Sequence, residues 1–303
     1  MRVFVALVAA LWMEPCLSAA DAGPVIADAI VVKAIRVSLN KPEGNLTQAD
    51  LNKVATLDLT YTQISDAGLH EVAKLRQLTR LYLNGTAISA AGLKHIAGLP
   101  KLTRLYLNST ELTDPGLREV AKLSQLTHLN LWRAQVTDAG LKEVCKLQQL
   151  RSLDLSRNQI TDAGLQEVAR LKQLTHLWLY NTNITDAGLK AVGGLPQLTY
   201  LGLVGTEITD DGLKEVTRLQ KLTFLGLSWT NISDAGLQHV ARLQQLKVLS
   251  LTDTRITDAG IPDLVKLPQL TELYLHRTRF TATSMAELKR ALPKCKIFSR
   301  FTE

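Results

Sequence analysis

A Leu-x-Leu pair recurs through this 303-residue chain at a fixed spacing of 24 residues, from Leu57/Leu59, Leu81/Leu83 and Leu105/Leu107 onward to Leu273/Leu275. The ten copies define repeats 1 to 10. A period of this length marks a solenoid, because one unit is too small to bury its own apolar face and only stacking on its neighbours supplies a core. Length alone would allow one large domain or two ordinary ones; the period selects one. Alternation of leucine with variable residues predicts a short strand with leucines inward. From Thr137 to Leu147 the period changes, with Leu141, Val144 and Cys145 on one helical face. Thr137 or Asp138 can cap that helix, and an acidic residue suits its positive N-terminal end. Asp occupies eight of the nine matching places, from Asp66 to Asp258, with Ala90 the exception, so a repeated helix start is expected there.

Two further columns are structural in character. Gly recurs nine times two residues after the Asp column, from Gly68 to Gly260, where a side chain would obstruct a tight turn or the neighbouring coil. After each strand stands Thr62, Thr86, Thr110, Thr182, Thr206, Thr230, Thr254 or Thr278, with Ala134 and Asn158 as departures. Many repeats of this kind use Asn here to satisfy buried loop backbone, and Thr reads as a hydroxyl version of it. The unit, approximately LTxLxLxxTxITDAGLKEVAKLxQ, identifies the leucine-rich repeat. The ITDAGL units and the Ala-Leu-Pro-Lys-Cys-Lys-Ile ending resemble exported leucine-rich-repeat proteins of planctomycete-type bacteria. The units also resemble those of ribonuclease-inhibitor-like and F-box leucine-rich proteins, which would imply a substrate adaptor of a ubiquitin ligase; nothing in the sequence resembles an F-box. The expected fold is α/β: a right-handed arc with a parallel sheet on its concave face and helices on its convex face.

Both ends of such a stack need covers. Residues 25–40 place Ile26, Ile30, Ala34 and Val37 on one helical face, followed by Lys-Pro-Glu-Gly and a second start at Thr47; residues 291–298 read as the end of a closing helix and a last strand. The expected boundaries are a leader at 1–20, a helical cap at 21–53, repeats at 54–280 and a closing cap at 281–303. The leader follows from Arg2, the apolar run Val3 to Trp12 and the small residues Ser18, Ala19 and Ala20, the pattern of a signal peptide cut near Ala20. About ten apolar residues fall short of the roughly 20 a spanning helix needs, so the mature chain is expected to be exported to a periplasm, envelope or extracellular space without a transmembrane span. Its loss would remove Arg2 and Glu14, leaving the formal charge at +7. Cys145 and Cys295 then stand about six repeats apart, roughly 30 Å, beyond disulfide reach. Cys145 sits in a column usually held by Ala and reads as a small buried hydrophobe.

With the first leucine of the unit as position 1, positions 3, 5, 7 and 8 line the concave sheet, and they hold every Tyr and Trp beyond the leader: Tyr61, Tyr82, Tyr106, Trp132, Trp178, Tyr180, Tyr200, Trp229 and Tyr274. β-propensity alone would favour such placement; so would binding, since Tyr, Trp and Arg anchor interfaces. In repeats 4 to 8 the candidate ligand-binding residues are His128, Trp132, Arg133, Arg157, His176, Trp178, Tyr180, Tyr200, Phe224 and Trp229, expected to form one continuous patch. Toward the N-terminal edge the pair Arg80-x-Tyr82 is repeated as Arg104-x-Tyr106, an arrangement suited to acidic or glycan groups or to simple stacking. A hydrolase would draw on Ser152 between His128 and His176, with Asp154 nearby, yet an open sheet promises neither an oxyanion site nor a closed pocket. The two histidines lie two repeats apart, roughly 10 Å, too far to share a zinc ion; no metal and no cofactor are expected.

The helical side interleaves Lys74, Lys122, Lys146, Arg170, Arg218, Arg242 and Lys266 with Glu71, Glu119, Glu143, Glu167 and Glu215. Nucleic acid would want a cleaner basic stripe. The sequence thus points to a non-enzymatic, monomeric scaffold that recognises a protein, peptide or envelope glycan, ahead of the ligase adaptor and the hydrolase.

Overall fold

The computed structural model describes residues 25–299; the expected leader lies outside them. Eleven three-residue strands, from Thr56–Asp58 to Lys296–Phe298, form one sheet in sequence order, with every neighbouring pair parallel and in register by 24 residues. Ten are the strands of the repeats. The eleventh is the predicted last strand, paired with Glu272–Tyr274. Most returns are seven-residue helices such as Asp138–Val144 and Asp162–Val168, with Leu and Val of each buried beneath the sheet. The leucines of the strands are at most 1% exposed from Leu57 to Leu273, so the core is one aliphatic column running the length of the stack.

Asp and Gly of successive repeats explain each other. Asp138 is the first residue of its helix, but its carboxylate reaches into the next coil, where it accepts from the Thr161 N–H at 2.9 Å and its hydroxyl at 2.6 Å. Thr161 in turn caps the next helix by accepting from the Ala163 N–H at 3.3 Å. The same bonds join Asp162 to Thr185, Asp186 to Thr209, Asp210 to Ser233 and Asp234 to Thr257. The helix-start reading is therefore half of the role: in most repeats the Ser or Thr caps and the preceding Asp clamps that cap across the interface, whereas Thr113 and Thr137 make no side-chain cap bond and Thr137 only donates to Asp114 Oδ1 at 3.3 Å. A Cβ on Gly164 would run into Asp138 Oδ1, which is why Gly follows. Where Ala90 replaces Asp, a Cβ on Gly116 of the following repeat would meet no carboxylate, its nearest neighbours being the Leu93 and Leu112 methyls at 3.2 and 3.3 Å.

The Thr column works within its own coil. Each hydroxyl donates to the leucine carbonyl three residues back, as Thr86 to Leu83 and Thr206 to Leu203, both at 2.6 Å, rather than bridging coils as an Asn ladder does. Asn158 does bridge: it donates to Leu131 O at 2.7 Å and Leu155 O at 2.9 Å, and accepts from the N–H groups of Ala134 at 3.0 Å and Val136 at 2.9 Å. The two departures from the column are thus one device, Asn158 serving the coil in which Ala134 offers no hydroxyl.

At the N-terminal end the helix Ala29–Leu39 is capped by Asp28, whose carboxylate accepts from the N–H groups of Ile30 and Val31. It buries Val31 and Ile35, not the predicted face: Ile26 precedes the helix, Ile30 and Ala34 pack at the margin, and Val37 is 76% exposed. Thr47 starts the short helix Gln48–Leu51 through a capping box with Asp50. Lys41 also bonds Asp50 at 2.7 Å, and these contacts hold its carboxyl well below the ordinary carboxylate range. The helix Ala282–Ala291 covers the other end, burying Met285 and Leu288. Cys145 and Cys295 are free; burial pushes the Cys145 thiol up to about 12.

Candidate functional site

Parallel pairing with no slip puts equal positions of successive repeats side by side, so side chains at positions 3 and 5 form two rows along the concave face. In the position-3 row Arg80, Arg104, His128, Ser152, His176, Tyr200 and Phe224 are consecutive neighbours. Beside them in the position-5 row run Tyr82, Tyr106, Asn130, Asp154, Trp178, Gly202 and Gly226.

Repeats 6 to 8 gather an aromatic cluster. Tyr200 stacks on Phe224 with centroids 4.0 Å apart and planes 4° from parallel. Trp178 leans on Tyr200 at 4.8 Å, and His176 stands 5.7 Å from Trp178. Tyr180 occupies the space left by Gly202, where a Cβ would collide with its ring, and its hydroxyl meets that of Tyr200 at 2.6 Å. Burial, with that bond, pushes the Tyr180 hydroxyl well above the usual phenol value. Two other pairs, Tyr82/Tyr106 at 4.4 Å and Tyr274/Phe298 at 4.6 Å, stack in the same manner. These rings cover one another's faces across strands, so each stack stabilises its sheet as well as lining the surface.

Of the ten residues read from the sequence as one patch, His128 lines the hollow described below and the other nine divide into three groups. His176, Trp178, Tyr180, Tyr200 and Phe224 are in mutual contact. Trp132 is instead covered by the Arg157 guanidinium, 5.5 Å from its ring centroid. Trp229 is covered by Arg277 at 5.7 Å, a residue the sequence reading missed. Arg133, like Trp229, stands on the rim at position 8, where the backbone is left-handed in all ten repeats, with φ between 50 and 68°. Gly85, Gly205, Asn181 and Asp253 suit that conformation; Tyr61, Arg133, Arg157, Trp229 and Arg277 do not. Tyr61 and Trp229 are 78% and 56% exposed.

Between the arginine end and the aromatic cluster is a hollow of about 200 Å³ lined by Tyr106, His128, Leu129, Asn130, Ser152, Asp154 and Trp178. It opens because small Ser152 separates two histidines. Asp154 accepts from the Ser156 N–H at 3.0 Å, as Asn130 does from Trp132 at 2.9 Å; burial raises its carboxyl above the ordinary value. Burial lowers both imidazoles, and the charges of Arg104, His176, Arg80 and Arg151 lower His128 further. Thr127 and Thr175 give their hydroxyl protons to backbone carbonyls. The same hydroxyls meet His128 and His176 Nδ1 at 2.8 and 2.9 Å and fix the orientation of both rings. Register brings Ser152 between the two histidines, but among the described residues no hydrogen bond joins it to either, and the hollow opens to the concave face. Among the described residues no group of three or more His, Cys, Asp or Glu is placed to hold a metal ion. No helix among them is long and apolar enough to cross a membrane.

Models of the leucine-rich-repeat families match residues 148–208 and, separately, residues 51–73, 98–121 and 218–241; no enzyme family is indicated. No curated protein matches the sequence. Among solved structures, an internalin (inlF) from Listeria monocytogenes is 22% identical over 92% of this chain and 96% of that one, with a TM-score of 0.55. A TDR receptor is 16% identical over 84% of this chain and 48% of that one, with a TM-score of 0.52, so the chain spans about half of it. At such identities the likeness is one of fold, and with the eleven-stranded parallel sheet and its 24-residue register it makes this chain a leucine-rich-repeat solenoid.

Proposed function

We propose that this solenoid is a non-enzymatic recognition scaffold that holds a polypeptide partner on its concave face, centred on repeats 4 to 8. The observation that carries this reading is the aromatic cluster of repeats 6 to 8 standing half-buried beside the hollow at Ser152. A half-exposed aromatic surface with a socket next to it is the form in which interface anchors and their pockets occur. The stacked rings offer few free faces, which favours a polypeptide over a glycan that would lie flat on aromatic planes. The internalin and receptor solenoids above have the same fold. Residues 1–20 support export of the mature chain. N-terminal sequencing of the native protein should begin near Asp21, and Met1 retained on cytoplasmic protein would refute export.

The test is capture from the envelope fraction of the source cells with residues 21–303 as bait, repeated with Trp178→Ala. A partner that survives washing on the parent chain and is lost from the variant supports the reading. Equal capture by both would remove the aromatic cluster from the interface.

A further inference from the structure

The strongest electrostatic irregularity of the concave face lies outside the aromatic cluster. Arg80 and Arg104 are direct neighbours on adjacent strands, and like charges placed opposite each other are destabilising. Among the described residues neither guanidinium forms an ion pair, although Lys and Arg on the helical side repeatedly pair with Glu or Asp. Arg80 Nε is buried and has no acceptor. The flanking residues of the row, Thr56 and His128, bring no negative charge, and Asp58 in the next row accepts from the Thr60 N–H at 2.9 Å and, among the described residues, forms no ion pair with either arginine. A buried donor without an acceptor, in a pair of unneutralised guanidinium groups, calls for an anion from outside.

The row is graded. Full positive charge at Arg80 and Arg104 gives way to His128, then to the hydrogen-bonding groups of Asn130 and Ser152 around the hollow, and then to Trp178, Tyr200 and Phe224. A uniformly charged polymer would lose its partners past His128. We infer that the concave face takes an extended polypeptide segment with carboxylate side chains at one end, over Arg80 and Arg104, and apolar side chains at the other, over repeats 6 to 8. From repeat 2 to repeat 8 is six strand spacings, about 29 Å, which an extended chain covers in about nine residues. This rests on the concave-face reading above and adds the chemistry of the partner.

The probe is a synthetic peptide of three glutamates, a Gly-Ser-Gly centre and Leu-Phe-Leu, made in both orders, with a glutamine version of each. Titration into the full chain should show one order binding, its glutamine version about tenfold more weakly, a factor typical of lost charge-assisted pairing. The double variant Arg80→Gln/Arg104→Gln should lose the preference for glutamate, while Arg170→Gln/Arg218→Gln, which removes the same charge from the helical side, should keep it. Preserved preference in R80Q/R104Q overturns the inference, as does hexathymidylate or a sulfated hexasaccharide binding as tightly as the peptide. The melting temperature of R80Q/R104Q should be unchanged or higher; a clear fall would make the pair a structural element and overturn the assignment. If Trp178→Ala abolishes peptide binding and R80Q/R104Q does not alter it, the recognition surface stands and its acid specificity fails.

Discussion

At Gly164 the absence of a side chain is a statement about Asp138 in the preceding repeat, since a Cβ there would displace the carboxylate that clamps Thr161. Gly164→Ala should therefore destabilise by about 1 to 3 kcal/mol, the range for overpacking. Gly116→Ala meets the Leu93 and Leu112 methyls at 3.2 and 3.3 Å and no carboxylate, and with up to about 1 kcal/mol of helix propensity to offset that contact it should cost less than Gly164→Ala. Chemical denaturation of the two variants checks the pair, and equal effects would refute the Asp clamp. The alternation of Leu, the Gly column and the Asp column were all legible in the sequence because each repeats; the partnership between the last two was not, because it joins residues 26 apart that only stacking brings together. The same holds for Ala134 and Asn158, visible as two exceptions but not as one device. A double-mutant cycle should find Asn158→Thr and Ala134→Thr coupled by about 0.5 to 3 kcal/mol, the double change restoring the common column; additivity would disprove the compensation. Asp154 carries a sign of its own. Its folded-state carboxyl is raised above the unfolded value by burial, so the folded state holds the proton more tightly and stability falls as pH rises through that window. Asp154→Asn keeps the acceptor that Asn130 provides one repeat earlier and should raise the midpoint at pH 7 while flattening that part of the pH profile.

Among the elements, the helices and strands of the repeats followed from period and capping, and so did the presence of the first helix, whereas the face it buries did not. The apolar residues of Ala29–Leu39 are dense enough to support more than one helical face. Asp28, by accepting from Ile30 and Val31, fixes the start and turns Val31 and Ile35 inward. A single helix without neighbours in the periodic pattern offers no second copy from which to choose the face. Its continuation depends on Asp50, which Lys41 and the Thr47 cap hold below the ordinary carboxylate value. The sign is opposite to that of Asp154: this stabilisation is present above the unfolded value of 3.8 and is lost as pH falls through the lowered one. In the middle of the stack, Leu155 has no exposure, and Leu155→Ala should cost about 2 to 5 kcal/mol by opening a cavity in the column. An unchanged denaturation midpoint would contradict its place in the core.

On the scale of the whole molecule the concave surface is a register-locked array, so the rows were readable from the sequence once the strands were. The grouping within them was not: ring stacking, the space over Gly202 and the left-handed rim depend on backbone geometry that no single repeat displays. The rim gives a cleaner separation of binding from stability than Trp178 does, because Trp178 is half-buried against His176 and Tyr200 and its removal should also cost about 0.5 to 1.5 kcal/mol of aromatic contact. Trp229 is more than half exposed and sits at φ 60°, a conformation in which Asn181 occupies the equivalent place with ease. Trp229→Asn removes the ring and its Arg277 contact, worth about 0.5 to 1 kcal/mol at an exposed site. It also relieves a backbone penalty of about 1 to 2 kcal/mol, so stability should stay level or rise. If Trp229 extends the apolar end of the recognition surface, the same substitution should weaken partner capture by about tenfold or more, about 1.4 kcal/mol. Lowered stability with intact capture would instead mark Trp229 as a packing residue and end the interface at Phe224.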